Sequence, residues 1–275
     1  MDNKLVSAKL DIVFKKLFAE NIDILTEFIS DMLDIPMEEI KSIKVLNPDI
    51  LPESIGEKYY RLDLLLDLGG KFINVEMQVR SEKSFGDRIL LYWSKMYSSQ
   101  LDSGESYKKL CPCIAITIVD FDLFEHEDYH SEFGVWDIEH DNKLTDKMAI
   151  HFFELKKVPL NIDKSTRKEL WLQFIKADDK EAFDMLENTN VTGIQKGIQA
   201  VYKMSADERT RELIRMREKA LHDEATLLEE AREEGEAKGM AKGMAKGRAE
   251  KEAEIAARMK SLGMSDDEIQ KIIGS

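Results

Sequence analysis

Residues 61–79 constrain the fold more than any other stretch. They read Arg61-Leu-Asp-Leu-Leu-Leu-Asp-Leu-Gly-Gly-Lys-Phe-Ile-Asn-Val-Glu-Met-Gln-Val79. Apolar and polar side chains alternate on both sides of Gly69-Gly70, a pair whose residues both accept positive φ and so suit a tight hairpin. Folding the segment there sets a register. Asp63 falls opposite Glu76, and Arg61 opposite Gln78. Because side chains alternate faces along a strand, Leu62, Leu64 and Leu66 meet Ile73, Val75, Met77 and Val79 on one apolar face. Asp63 and Asp67 share the other face with Asn74, Glu76 and Gln78.

That register places two carboxylates across from each other, with Cβ atoms roughly 5 Å apart, where like charges destabilise a sheet. A divalent cation between them resolves the conflict. Mg²⁺ favours one or two carboxylates, with waters and phosphate oxygens completing its shell. Such an ion lowers the pKa of a bound water and neutralises charge on a phosphate, so Asp63, Glu76 and Gln78 form a candidate phosphodiesterase site. The alternative is the solvated polar face of an ordinary hairpin.

Composition bounds the remaining classes. The 275 residues suffice for one or two domains with a real core. A net charge of −14 argues against a non-specific nucleic-acid coat protein. It leaves room for a nuclease, whose metal supplies local positive charge. Cys111 and Cys113 flank one proline in an apolar run. A bridge between them would be strained, and reduced core thiols of a cytoplasmic protein are expected. The N-terminal residues carry no secretory h-region, and no run of 18 apolar residues occurs. We therefore expect no association with a membrane. His126, His130, His140, His151 and His222 are scattered and read as ordinary residues.

Periodicity predicts helices over 7–20 and 22–34, a strand near 42–47, the hairpin, and a helix over 86–102 stopped by Gly104. The last has an apolar stripe of Ile89, Leu90, Trp93, Met96 and Tyr97. An unbroken apolar run over 110–119 predicts a strand buried on both faces. A second hairpin fits 132–155, with Asp141-Asn142 near its turn. This gives an α/β core ending near residue 158. Helices follow over 164–176, 178–188, 191–204 and 206–232. Then come Gly235, Gly239, Gly243 and Gly247 at a strict four-residue spacing. Final helices are predicted over 249–261 and 265–273, with Gly263 ending the first and Ser265 capping the second.

The order strand-Asp, short turn, strand-Glu-x-Gln resembles the PD-(D/E)XK nuclease superfamily. More specifically, the chain resembles the recombination-promoting nuclease family of bacteria, also labelled transposases. The matching residues are Asp11-Ile-Val-Phe-Lys-Lys-Leu-Phe18, Arg61-Leu-Asp63, Asn74-Val-Glu-Met-Gln78, Arg88 with Tyr92, Gly104-Glu-Ser-Tyr107 and Phe152-Phe-Glu-Leu-Lys156. They span about residues 7–157. The resemblance implies a restriction-endonuclease-like mixed sheet flanked by helices, with a helical C-terminal extension. It implies a cytoplasmic, Mg²⁺-dependent DNA endonuclease acting in recombination, transposition-like processes or defence against mobile DNA.

Carried over by position, Asp63 and Glu76 are the metal ligands, for Mg²⁺ or another divalent cation. Gln78 stands where most members carry a catalytic lysine. Asp11 occupies the acidic position of the first helix. Glutamine can only exchange hydrogen bonds, whereas lysine can also stabilise developing charge. Lys15, Lys16 and Arg88 are candidate DNA phosphate contacts; the alternative is solvated charges on helix faces.

The expected organisation is a nuclease-like core over 1–158, a helical region over 159–232, a glycine-repeat linker over 233–248 and a small helical hairpin over 249–275. A four-residue step keeps the glycines near one stripe of a helix, where two helices can approach closely. Homo-oligomers joined through the C-terminal helices follow from this; the alternative is a linker generated by repeat slippage. Two further readings differ in class. One is a catalytically weak or inactive DNA- or protein-binding module on the same fold. The other is an oligomer scaffold built by the C-terminal arm.

Overall fold

The computed structural model describes residues 5–46, 49–50, 60–61 and 63–273. Residues Met1–Ile214 form one compact unit and Arg215–Ser275 a second. The first unit opens with α1 (Asp11–Glu20) and α2 (Ile22–Leu33), followed by β1 (Lys44–Leu46), β2 (Asp49–Ile50) and β3 (Tyr60–Arg61). Strands β4 (Leu64–Asp67) and β5 (Phe72–Gln78) precede α3 (Phe85–Ser98) and β6 (Cys113–Val119). Next come β7 (His130–Phe133), β8 (Trp136–Asp137), β9 (Asn142–Lys143) and β10 (Met148–Glu154). Helices α4 (Arg167–Lys176), α5 (Lys180–Glu187) and α6 (Thr192–Ala206) follow, then α7 (Glu208–Ser261) and α8 (Asp266–Ile273).

Six strands form one mixed sheet in the order β1-β4-β5-β6-β10-β7. Central β6 runs parallel to both β5 and β10, and the other pairs are antiparallel. A strand with neighbours on both sides and helices on both faces is expected to be nearly all apolar, as β6 is apart from Thr117. It starts at Cys113, later than the apolar run, because Pro112 has no N–H for the ladder; the Pro112 carbonyl accepts from the Phe72 N–H instead. The second predicted hairpin is present as β7 against β10, with the small β8–β9 pair inserted between them.

In the nuclease-like core the start of α1 and the end of α3 differ most from the periodicity. Helix α1 begins at Asp11 because the Leu10 N–H closes a turn onto Ser7, whose hydroxyl takes the Lys9 N–H. Helix α3 ends at Ser98, before Gly104. The Ser98 and Ser99 hydroxyls donate back to the Lys95 and Met96 carbonyls, loosening its last turn. Leu90 of the expected stripe is exposed, while Ile89 and Met96 are buried.

The sheet separates two apolar layers. On one face Phe85 and Ile89 of α3 pack on Ala115, Val119, Ile150 and Phe152. The other carries the main core, with Phe14, Phe18, Phe28, Trp171, Phe174 and Phe183 fully buried. Each such side chain contributes roughly 1.5–3 kcal/mol by leaving water. Helices α4–α6, read from sequence as a region apart from the core, close this same layer over α1 and α2. Trp171 Nε1 donates to Asp31 at 2.7 Å, and the Gly193 N–H donates to Glu27 at 2.6 Å, tying α4 and α6 to α2.

In the second unit the chain stays helical through the glycine repeat, so 233–248 is part of α7. Pairs such as Arg248–Glu252, one turn apart, support this solvated helix. Gly263, with φ +88°, ends it, and the Ser265 N–H and hydroxyl both donate to Glu268 in the first turn of α8. No helix among the described residues is long and apolar enough to cross a membrane.

Candidate active site

The hairpin turns where the glycines require it. Gly69 and Gly70 have φ of +70° and +116°, and Asp67 Oδ1 accepts both of their N–H groups. The register follows the predicted one, with Leu64 opposite Val75 and Leu66 opposite Ile73. The ladder ends at Leu64, and Asp63 sits one residue beyond it. Arg61, expected opposite Gln78, has its backbone paired with Asp49 instead. Leu62 lies outside the described residues.

Asp63 and Glu76 are each held by a backbone N–H of the facing segment. The Asp63 N–H donates to Glu76 Oε1 at 3.2 Å, and the Met77 N–H donates to Asp63 Oδ2 at 3.0 Å. Asn74 Nδ2 adds a second donor to Glu76 Oε1 at 3.2 Å. The polar face is buried at its centre, where Glu76 is 8% exposed and Asn74 1%, while Asp63, Asp67 and Gln78 are partly exposed. Val79, expected on the apolar face, is exposed. Burial, and next the charge of Asp63, push the Glu76 carboxyl up to about 8. Beside Glu76 lie two buried oxygens, Asn74 Oδ1 along the strand and Thr117 Oγ1 at the register position on β6. Neither has a hydrogen-bond partner among the described residues.

Cations reach this centre from two helices. Lys15 Nζ of α1 lies 2.8 Å from Asp63 Oδ1. Arg88 Nη2 of α3 donates to Gln78 Oε1 at 2.9 Å, and Arg88 Nη1 donates to Glu82 Oε2 at 2.8 Å. Gln78 Nε2 donates to the Arg80 carbonyl at 2.8 Å and to Glu82 Oε1 at 3.3 Å. Lys16 does not join; its ammonium bonds the Thr210 hydroxyl at 2.8 Å and lies 3.7 Å from Asp207. Asp11 opens α1 one turn before Lys15, and its Oδ1 accepts the Ile12 N–H. Tyr92, one turn beyond Arg88, is half-buried, and burial raises its hydroxyl pKa.

A family model described as PD-(D/E)XK nuclease family transposase matches residues 8–231. The match covers most of the chain. This chain belongs to the PD-(D/E)XK nuclease family transposases. No curated protein and no solved structure matches it. The mixed sheet between helices is accordingly the restriction-endonuclease-like α/β fold that the sequence led us to expect. Membership gives the chain a nuclease- or transposase-like role.

Nucleases of this type typically use divalent metals, and the residues present fit one. The available donors are all oxygens, as a hard cation requires. The unpartnered buried oxygens of Asn74 and Thr117 add two further hard donors beside Glu76. Among the described residues no group of three or more His, Cys, Asp or Glu side chains could hold an ion. An ion here would rest on Asp63 and Glu76 and take its remaining ligands from water and substrate. Bound there, it would acidify a water and neutralise phosphate charge.

Three side chains beside the candidate site were not singled out as site residues from the sequence. Thr117 had a signal, as a lone hydroxyl within the apolar run of β6. Asn74 was placed on the polar face, but its burial depends on packing that the hairpin alone does not reveal. Glu82 sits in a polar turn, and its bonds to Gln78 and Arg88 form only once that turn is folded ahead of α3.

Proposed function

We propose that this chain is a Mg²⁺-dependent DNA endonuclease of the bacterial cytoplasm, acting in recombination, transposition-like processes or defence against mobile DNA. The observation that carries the reading is the juxtaposed Asp63 and Glu76 carboxylates, Glu76 buried and each held by a backbone N–H of the facing segment, with unpartnered Asn74 and Thr117 oxygens beside them. Asp63 and Glu76 hold the ion, Gln78 orients the attacking water, and Lys15 and Arg88 meet the phosphates. Asp11, one turn before Lys15 on α1, supplies the accessory carboxylate, and Lys16, engaged with Thr210, stands outside this set. Two copies pair through the glycine stripe of α7. The test is incubation of supercoiled plasmid with the full chain, with and without Mg²⁺, beside Asp63→Ala and Glu76→Ala. Nicking that requires Mg²⁺ and falls about 100-fold or more in either variant supports the reading. Equal cutting by folded variants sinks it.

One observation favours a second reading, a nuclease fold retained for binding. Gln78 stands in the lysine position, and its amide is engaged with Arg80, Glu82 and Arg88. DNA binding without turnover across several divalent ions, and without Mg²⁺-linked stabilisation, would select it.

A further inference from the structure

Glu82 is an acid in a place where an acid is unexpected. Its two carboxylate oxygens take one N–H each from the two side chains that flank the metal-binding pair. Oε1 accepts from Gln78 Nε2 at 3.3 Å, and Oε2 accepts from Arg88 Nη1 at 2.8 Å. Arg88 and Gln78 are themselves joined, Nη2 to Oε1, at 2.9 Å. Together they present a two-pronged donor pair to an anion.

The donors and the acceptor are not held equally. Gln78 ends β5, a central strand, and Arg88 lies in the first turn of α3. The guanidinium rests 5.1 Å from the Phe85 ring centroid, and its Nε is buried with no partner among the described residues. Glu82 belongs to the turn before α3, and its side chain is about half exposed at 48%. An exposed ion pair is weak and screened, so this carboxylate can leave while the donors remain. A phosphodiester presents two anionic oxygens in much the same way as a carboxylate, and the arginine fork matches both. Position completes the argument. Gln78 follows Glu76 by two residues and shares its face, so an anion held there lies beside Asp63 and Glu76.

We propose that Gln78 and Arg88 form the subsite for a DNA phosphodiester, and that the Glu82 carboxylate occupies it until the phosphate displaces it. The inference rests on the nuclease reading and adds to it the source of positive charge that a neutral Gln78 lacks: Arg88 supplies it. Glu82 competes with substrate from within the chain.

The test measures binding of a fluorescein-labelled DNA duplex by anisotropy, using the full chain at low salt with EDTA, so that cleavage does not intervene. Glu82→Gln keeps the shape and removes the competing charge; affinity is expected to rise about 3- to 10-fold. Arg88→Ala should weaken binding, lower the salt slope by about 1, and cancel the gain from Glu82→Gln in the double variant. Should Arg88→Ala fail to fold, Arg88→Lys keeps the charge, removes the fork and replaces it in the cycle. An unchanged Kd for Glu82→Gln, or a gain that persists without Arg88, overturns the subsite. If the parental chain still nicks plasmid in an Asp63-dependent way, only the subsite falls. If the parental chain neither binds nor cuts DNA, the nuclease reading fails and the subsite falls with it.

Discussion

Asp63 and Glu76 each accept a hydrogen bond from the other's strand: Asp63 from the Met77 N–H and Glu76 from the Asp63 N–H. This exchange lets two carboxylates face each other at the end of a hairpin. Backbone dipoles replace part of the lost water, and the ladder's last rungs become the walls of the site. What the amides do not offset appears as the raised pKa of Glu76. The electrostatics of the metal-free pair should be visible in stability.

The metal-free protein should lose stability as pH rises. Glu76 titrates near 4.5 when unperturbed and at about 8 in the fold, so the folded state holds the proton more tightly. Stability present below about 4.5 is then lost progressively up to about 8, by several kcal/mol at most. The Tm of the parent should fall across this window relative to Glu76→Gln, which cannot titrate. Mg²⁺ competes with the proton and should shrink the difference. Parallel pH profiles for the two proteins would mean that folding leaves the Glu76 pKa unchanged.

Lys15 should trade stability against metal affinity. Its ammonium neutralises Asp63 at 2.8 Å in a partly buried setting. Lys15→Met should cost the metal-free protein about 1–2 kcal/mol, kept low by partial exposure. It also releases a carboxylate oxygen to an ion, so Mg²⁺ should raise the variant's Tm more than the parent's. Differential scanning fluorimetry over a Mg²⁺ series reads both quantities. A smaller Mg²⁺-linked rise would show that Lys15 supports the ion.

The hairpin that carries the candidate site was legible where chemistry is local. Alternation plus two glycines fixes the register that opposes Asp63 and Glu76, because a one-residue slip would turn Leu64 and Leu66 outward. Tertiary relations were not legible. Nothing in the sequence of α1 distinguishes Lys15 from Lys16, yet one reaches Asp63 and the other Thr210. That choice depends on how α1 lies on the sheet. The reach of the core to α6 was hidden for the same reason, since Trp171 and Phe174 show their partners only once α4 is docked. Helix ends slipped where serine hydroxyls competed for backbone groups, at Ser7 and at Ser98-Ser99.

Gly193 and Gly197 should tolerate no side chain. A Cβ on Gly193 would lie 2.7 Å from Glu27 Oε2 and 2.8 Å from the Trp171 ring, and one on Gly197 would lie 2.9 Å from the Phe174 ring. Helix propensity alone would favour alanine by about 1 kcal/mol. Overpacking in a dense core outweighs that gain, and each Gly→Ala change should cost about 1–3 kcal/mol. Urea unfolding measures the balance. A stabilised Gly193→Ala would show that α6 can shift away from α4 without loss.

The glycines of α7 should behave in the opposite way within a single chain. A Cβ on Gly235, Gly239, Gly243 or Gly247 would meet nothing within 4 Å. Replacing all four by alanine should therefore raise helicity, each change favouring helix by about 1 kcal/mol. If two copies pair along this stripe, the added methyls push the backbones apart. The quadruple variant should then show more helix by circular dichroism and a lower mass by sedimentation or light scattering. Dissociation with increased helicity would assign assembly to the stripe, because simple unfolding of α7 would lower helicity. An unchanged mass would leave the glycines as fraying points in a solvated helix, and assembly would have to use another surface.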